Sequence, residues 1–146
     1  MGIGVPNMPE AWNWYRKKFG VDIKVFEEAA EAKLMLPYTG GEPRRRHAAL
    51  AVNLHGGGGF EIWQYTSRVP QAPEVAPQLG DLCLFVAKIK CKNASDAYDS
   101  LKEKGAKLLS EPIADGRSNS HFFVEDPYGN IFDVVENNVW FKDEGK

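Results

Sequence analysis

The feature that most constrains the fold is a helix signal that occurs twice along the chain. In each copy an Asn that can cap a helix is followed three residues later by an acidic residue and, after an amphipathic stretch, by a terminating Gly. The copies are Asn7, Glu10 and Gly20, and then Asn93, Asp96 and Gly105. The caps lie 86 residues apart and the glycines 85. This offset predicts two copies of one supersecondary unit.

Composition narrows the class of protein. The chain has 146 residues, of which 43% are hydrophobic and 26% charged, and this excludes collagen-like, disordered and coiled-coil proteins. A net charge of −2 argues against a nucleic-acid or anionic-membrane surface, and no apolar run approaches the roughly 18 residues of a membrane helix. Two cysteines are too few for a disulfide framework, and the start lacks signal-peptide features. We expect a cytoplasmic protein whose partners are small molecules or proteins.

Strand-like segments surround each predicted helix in the same order. One apolar segment precedes each helix, at 1–5 and at 82–89, and three follow it, at 21–26, 47–54 and 60–65 in the first half and at 107–109, 120–125 and 131–135 in the second. Each half therefore reads βαβββ. Residues 27–36 contain strong helix formers where the repeat needs a strand, so helix and strand both stay open there. About 13 extra residues of the first half fall in 37–46 and its flanks.

The boundaries of the halves follow from a stiff, proline-containing segment between them. We expect a single domain over 1–146, with module one at about 1–67, a linker at about 68–79, module two at about 80–136 and a tail at 137–146.

The end of the second half carries a resemblance to a known family. Residues 123–136 include Asp126-Pro127-Tyr128-Gly129-Asn130, which resembles the closing motif of the vicinal oxygen chelate superfamily, and the helix end at 14–20 is similar to that family's first helix. The superfamily includes glyoxalases, extradiol dioxygenases, methylmalonyl-CoA epimerases and bleomycin-resistance proteins. The resemblance implies an α+β fold, in which two βαβββ modules form a cupped mixed sheet with the helices on its outer face and a pocket in the cup.

The resemblance also implies positions for metal ligands. Carried over to this chain, they are Glu61 and Asp133 on the last strands and Cys83 on the first strand of module two, with the fourth position just before Met1. The implied ion is divalent: Fe, Mn, Ni, Zn or Mg. Asp133 is one methylene shorter than the usual Glu, and a thiolate is a softer ligand than imidazole or carboxylate. A metal-free pocket with a residual acidic pair is the alternative, and the expectation is that a metal is absent or weakly bound.

Other polar and aromatic residues are candidates for the pocket. Glu61, Trp63 and Tyr65 alternate onto one strand face, which suits a planar ligand, although the two aromatics alternatively belong to the core or to a dimer contact. His47 and Asn53 share a small, partly polar face of another strand. His47 and His121 are candidate proton-transfer groups or ligand donors, with strand-end hydrogen bonding as the alternative. The run 44–46 of three arginines either binds an anion or forms a solvated loop cluster.

Three functional hypotheses follow. The first is a metal-dependent lyase, isomerase or epimerase, or dioxygenase acting on a vicinally oxygenated substrate, with Glu61 as the catalytic proton-transfer residue. The second is a metal-free ligand-binding protein of the resistance or sequestration type, similar to bleomycin-resistance proteins. The third is a non-catalytic interaction module, a homodimer across which residues 139–141 pack.

Overall fold

The structure is a computed structural model that describes residues 1–54, 58–71, 74–75, 78, 81, 86–114, 116 and 119–136. Cys83, the first half of the strand predicted at 82–89 and the predicted tail 137–146 lie outside these residues. The chain divides into two compact units, Met1–Glu74 and Val75–Lys146, and the division falls within the segment predicted as a linker. The single-domain organisation stays a prediction.

The first unit contains one βαβββ module and a short extra helix. Its elements are β1 (Gly2–Gly4), α1 (Met8–Phe19), β2 (Ile23–Glu31), a 3₁₀ helix (Lys33–Tyr38), β3 (Arg45–Asn53) and β4 (Gly58–Tyr65). The four strands form one sheet in the order β1-β4-β3-β2. β1 is parallel to β4, and the other pairs are antiparallel.

The second unit repeats this arrangement. Its elements are β5 (Val86–Cys91), α2 (Ala94–Glu103), β6 (Lys107–Leu108), β7 (Ile113–Ala114), β8 (Ser120–Glu125) and β9 (Ile131–Glu136). The sheet order is β5-β9-β8-β6, with β7 also paired to β8, and β5 is parallel to β9. The α+β class and the two βαβββ modules are therefore confirmed.

Both helices begin and end as their sequences predict. The Asn7 side chain accepts a hydrogen bond from Glu10 N at 3.2 Å, and Asn93 accepts one from Asp96 N at 2.9 Å. Each satisfies a backbone donor that the helix leaves unpaired. Gly20, with φ of 63°, ends α1 in the left-handed conformation that favours glycine.

The last strand of each module supplies a second cap to the helix of that module. Met8 N donates to Gln64 Oε1, and Ala94 N donates to Glu136 Oε2 at 3.1 Å. Gln64 and Glu136 each lie three residues after the acidic residue of the closing strand, so the repeat extends to individual hydrogen bonds.

Each helix packs against one face of its own sheet. In the first unit Tyr15 of α1 is fully buried and its ring lies 5.1 Å from that of Phe60, next to the buried Ile62. In the second unit Tyr98 of α2 packs edge-on against the buried Phe122 at 5.4 Å. Burial of these apolar side chains fixes which strand residues face the helix and which face away from it.

The segment that was open between helix and strand contains both, in sequence. β2 continues through Glu31 because it pairs with β3 along its length, and this tertiary pairing prevails over the helix propensity of its Glu and Ala residues. The 3₁₀ helix at Lys33–Tyr38 follows, then a turn with Gly40 and Gly41 at positive φ, and this segment holds the extra residues of the first half. β7, at Ile113–Ala114, is a strand that the sequence analysis does not predict.

Within the described residues, no helix is long and apolar enough to cross a membrane.

Candidate functional site

Glu61, Trp63 and Tyr65 lie on the face of the first sheet that is turned away from α1. β4 presents Phe60 and Ile62 to the helix, so alternation turns the odd-numbered residues to the other side. The register places Glu61 opposite Leu50 and Trp63 opposite Ala48, with the same pleat on both strands. We call this side of the sheet the first helix-free face. The predicted alternation of the three side chains matches this register.

His47 and Asn53 lie on the opposite side of the sheet, which carries α1. Asn53 Nδ2 donates to the carbonyl of Phe19 at 2.9 Å, which ties β3 to the end of α1. His47 Nε2 lies 2.8 Å from Glu27 Oε1 on the neighbouring β2. The structure therefore separates both residues from Glu61, because the register pairs their side of β3 with the helix-facing side of β4. Period-two alternation predicts which residues share a face, but not which face the helix covers.

Glu61 is held by an arginine from the neighbouring strand. Arg46 Nη1 donates to Glu61 Oε1 at 3.0 Å, and Arg46 Nη2 lies 3.4 Å from Glu28 Oε1 on β2. The Arg46 side chain is 21% exposed and that of Glu61 36%, so both reach solvent from the face. Arg46 thus belongs to β3 and to an ion-pair network, and it does not form part of a solvated loop cluster.

Trp63 lies flat across β1 because that strand has glycine at two positions. Gly2 and Gly4 pair with Glu61 and Trp63, so their missing side chains leave room on the first helix-free face. A Cβ atom at Gly4 would lie 3.0 Å from Cζ2 of the indole. The Trp63 indole also contacts Tyr65, whose ring packs edge-on at 5.2 Å. The indole is only half-buried, and it forms an aromatic surface beside Glu61.

In the second unit, Asp133 is the centre of a smaller polar cluster. Its side chain is only 8% exposed, and each carboxylate oxygen has a partner: Oδ1 lies 2.8 Å from His121 Nδ1, and Oδ2 lies 3.6 Å from Lys88 Nζ. Phe123 packs edge-on against the His121 ring at 5.4 Å. These residues lie on the side of the second sheet opposite Phe122 and α2, so His121 and Asp133 are brought together.

The two described members of the predicted donor set, Glu61 and Asp133, do not fit a bound divalent ion. Glu61 contacts the guanidinium of Arg46 and Asp133 contacts the ammonium of Lys88, so a metal at either carboxylate would lie beside a protein cation that repels it. Across the described ranges, no three His, Cys, Asp or Glu side chains come together as ligands. Cys83 lies outside those ranges, so the third predicted ligand has no described position.

The closing motif that carried the family resemblance has a structural role. Asp126 is buried, and its carboxylate accepts hydrogen bonds from the backbone N–H groups of Tyr128 and Asn130, both at 2.8 Å. Gly129 takes a φ of 87° in the same turn. The motif therefore fixes the tight β8–β9 connection, and the chemistry of the face depends on other residues.

Sequence reasoning missed Arg46 and Lys88 as partners of the two carboxylates. Arg46 was missed because β3 was predicted to begin at His47, two residues after its start at Arg45. For Lys88 a signal existed: the 86-residue cap offset maps Gly2, the neighbour of Glu61, onto Lys88, the neighbour of Asp133. Applied to β1 and β5, the offset identifies the residue that pairs with the carboxylate residue of each closing strand.

Glu27 and Cys91, which lie outside these clusters, have shifted pKa values. The pKa of Glu27 is lowered, first by the hydrogen bond from Lys24 and then by the one with His47. Burial raises the pKa of the Cys91 thiol from 9.0 to about 11, and the nearby Glu136 carboxylate adds to the rise.

Comparison with known proteins identifies relatives of this fold. A glyoxalase family protein from Bacillus cereus superposes with a TM-score of 0.74 at 14% identity, covering 92% of this chain and 89% of that one. One from Enterococcus faecalis gives a TM-score of 0.65 at 19% identity, covering 93% and 94%. A glyoxalase I mutant from Zea mays gives 0.59 at 15% identity, covering 93% of this chain and 43% of that one.

At such identities these likenesses show the fold alone. No curated protein matches the sequence of this chain. The sequence model of the Glyoxalase/Bleomycin resistance protein/Dioxygenase superfamily, however, matches residues 1–134. Together with the two βαβββ modules, this match shows that the chain belongs to that superfamily.

Proposed function

We propose that the protein binds a planar aromatic small molecule on the first helix-free face, without a divalent metal bound at Glu61. The observation that carries this proposal is the placement of the Arg46–Glu61 ion pair on the same face as the half-buried Trp63 indole. A polar anchor next to an aromatic surface is the usual composition of a small-molecule site.

The rigidity of the aromatic surface supports this proposal. The Trp63 indole lies against the Gly4 backbone and against the edge of Tyr65, so stacking of a ligand on it orders few additional torsions. The Arg68 guanidinium lies 4.6 Å from the Tyr65 ring centroid and extends the polar border of the surface.

The metal-dependent lyase, isomerase and dioxygenase reactions of the superfamily are not proposed for this chain. Their shared requirement is an ion with open coordination positions. Both last-strand carboxylates of this chain already pair with protein cations, and this disfavours the binding of a metal ion there.

The test is a binding measurement on protein treated with a chelator and desalted. A panel of planar bicyclic aromatics is titrated into the wild-type protein and into Trp63→Leu, with binding followed by calorimetry. We expect binding to the wild type that weakens by up to about tenfold in Trp63→Leu, since stacking on an aromatic ring contributes about 0.5–1.5 kcal/mol beyond the area it buries.

The matched control is Trp12→Phe. Trp12 belongs to α1 and donates its indole N–H to the carbonyl of Val21, so it lies in a different environment from Trp63. Its replacement should leave affinity unchanged. Binding that appears only after Mn²⁺, Ni²⁺ or Zn²⁺ is added back would contradict the proposal.

The expectation of a cytoplasmic homodimer also stays a proposal. Light scattering coupled to size-exclusion chromatography tests the dimer, with a single species of 16.3 kDa as the result that would exclude it.

A further inference from the structure

From the unused atoms of the Arg46–Glu61 pair we infer the class of ligand: a neutral, flat heterocycle that carries a hydrogen-bond acceptor next to a hydrogen-bond donor on one edge, as a lactam does. The acceptor meets Arg46 and the donor meets Glu61. This inference rests on the proposed function, because it specifies the chemistry of the ligand that stacks on Trp63.

Arg46 has N–H groups that its two carboxylate partners do not use. A guanidinium has five N–H groups. Within the described residues Arg46 uses one for Glu61 and one for Glu28, so the remaining donors have no protein partner there. The two carboxylates restrict the orientation of the planar group, and a donor restricted in this way binds a ligand acceptor with less loss of side-chain freedom.

Glu61 has one carboxylate oxygen that Arg46 does not use. Its Oε1 accepts from Arg46, whereas no residue of the described segments donates to Oε2. With Nη1 and Oε1 only 3.0 Å apart, the unused Glu61 oxygen and the unused Arg46 donors belong to two groups in direct contact on one face. A ligand edge that pairs an acceptor with an adjacent donor complements this arrangement, and each bond is strengthened by the charge of the protein group.

The separation of Glu61 from the Trp63 indole sets the size of the ligand. Glu61 and Trp63 are alternate residues of β4, so their side chains leave the strand roughly 7 Å apart. A fused two-ring ligand spans that separation, with its hetero edge at Glu61 and its second ring over the indole.

The charged side chains around Arg46 and Tyr65 set the charge of the ligand. The contacts of Arg46 and of the Tyr65 ring bring together two negative charges, on Glu28 and Glu61, and two positive ones, on Arg46 and Arg68. Because these charges cancel, neither an anionic nor a cationic ligand gains net attraction. A neutral ligand with a polar edge therefore fits best.

The experiment compares two probes that differ by one methyl group. 2-Quinolone has a ring N–H next to its carbonyl, and N-methyl-2-quinolone keeps the ring and the acceptor but lacks the donor. Dissociation constants are measured by ligand-observed NMR on chelator-treated wild-type protein. We expect 2-quinolone to bind about tenfold more tightly, because the methyl group leaves the Glu61 carboxylate without its donor.

Two variants assign the difference to individual groups. In Glu61→Gln the amide can keep its oxygen toward Arg46 and turn its NH2 toward the ligand, so the preference for 2-quinolone should fall to about one. In Arg46→Met both probes lose the partner of their carbonyl, and both should weaken by about tenfold. Thermal unfolding shows whether each variant is folded, and the wild-type comparison stands without them.

The outcomes separate the two claims. If both probes bind the wild type equally well, and Trp63→Leu weakens both, the stacking site is retained and the donor–acceptor inference is wrong. If neither probe binds at millimolar concentration, the proposed function itself is contradicted.

Discussion

At the scale of single residues, the first helix-free face depends on two glycines that make room for one tryptophan. Gly4 lies under the six-membered ring of Trp63, whereas the nearest atom to a Cβ at Gly2 is the indole Nε1 at 3.8 Å. The approach at Gly4 is tighter than an ordinary van der Waals contact, so the indole would have to shift by a few tenths of an ångström, whereas the approach at Gly2 is ordinary.

Gly4→Ala should therefore displace the indole, and Gly2→Ala should not. We expect Gly4→Ala to lower the free energy of unfolding by about 1–2 kcal/mol, since an inserted methyl group forces a neighbouring side chain to shift. Urea unfolding of both variants measures this, with Gly2→Ala as the matched control. Equal stability of the two variants would show that the indole does not lie against Gly4.

Cys91 should be slow to react with alkylating agents. With its pKa raised to about 11, few of its thiols are ionised at pH 8, and the thiolate is the reactive form. Iodoacetamide labelling of Cys83→Ser, which leaves Cys91 as the chain's remaining cysteine, should be more than tenfold faster in urea than in the native state. Comparable rates in both conditions would contradict the assigned burial.

The sign of the linked stability follows from the same shift. Because the folded-state pKa of Cys91 is raised, folding favours the protonated thiol, and this contribution is fully present below pH 9. It is lost as the pH rises from about 9 toward 11. The shift on Glu27 has the opposite sign, so its contribution is present near neutral pH and is lost in acid.

At the scale of elements, the two modules are related by the way each closing strand caps its helix. Gln64 accepts from Met8 N, and Glu136 accepts from Ala94 N. A side chain from a strand thus satisfies a helix donor that local sequence leaves unpaired.

Removing either acceptor should destabilise the module that contains it. We expect Gln64→Ala and Glu136→Ala each to lower the free energy of unfolding by about 1 kcal/mol, the usual effect of losing a helix cap. The control is Glu103→Ala, at the other end of α2, for which we expect no measurable change. Urea unfolding followed by circular dichroism measures the free energy of unfolding of all three variants. A Glu136→Ala variant with the same free energy of unfolding as the wild type would contradict the assignment of Glu136 as a helix cap.

Sequence predicted these elements to the extent that their signals are local. The Asn7 and Asn93 caps, the glycines Gly20 and Gly105 at positive φ after the helices, and the alternation of β4 depend on neighbouring residues, and all of them agree with the structure. The division of residues 27–36 into strand and 3₁₀ helix depends on pairing with β3, a long-range contact that propensity does not report. The same holds for the face of His47 and for the Arg46–Glu61 pair, which depend on strand register.

At the scale of the whole molecule, the two units repeat one module, and in each unit the equivalent carboxylate pairs with a basic side chain. Glu61 is paired with Arg46 in the first unit, and Asp133 with Lys88 and His121 in the second. Proteins of this fold host many reactions, so the fold alone does not determine the activity of this chain. The chemistry of the paired carboxylates does distinguish its two main hypotheses, because a carboxylate bound to a protein cation is a poor ligand for a second cation.

The most direct test is the metal content of the purified protein after incubation with excess Mn²⁺, Fe²⁺, Ni²⁺ or Zn²⁺ and desalting, measured by mass spectrometry for wild type and Glu61→Gln. We predict far less than one equivalent of any of these ions per chain in both proteins, together with unchanged thermal unfolding. One equivalent of an ion that the wild type retains and Glu61→Gln loses would contradict the proposal that Arg46, and not a metal, is the partner of Glu61.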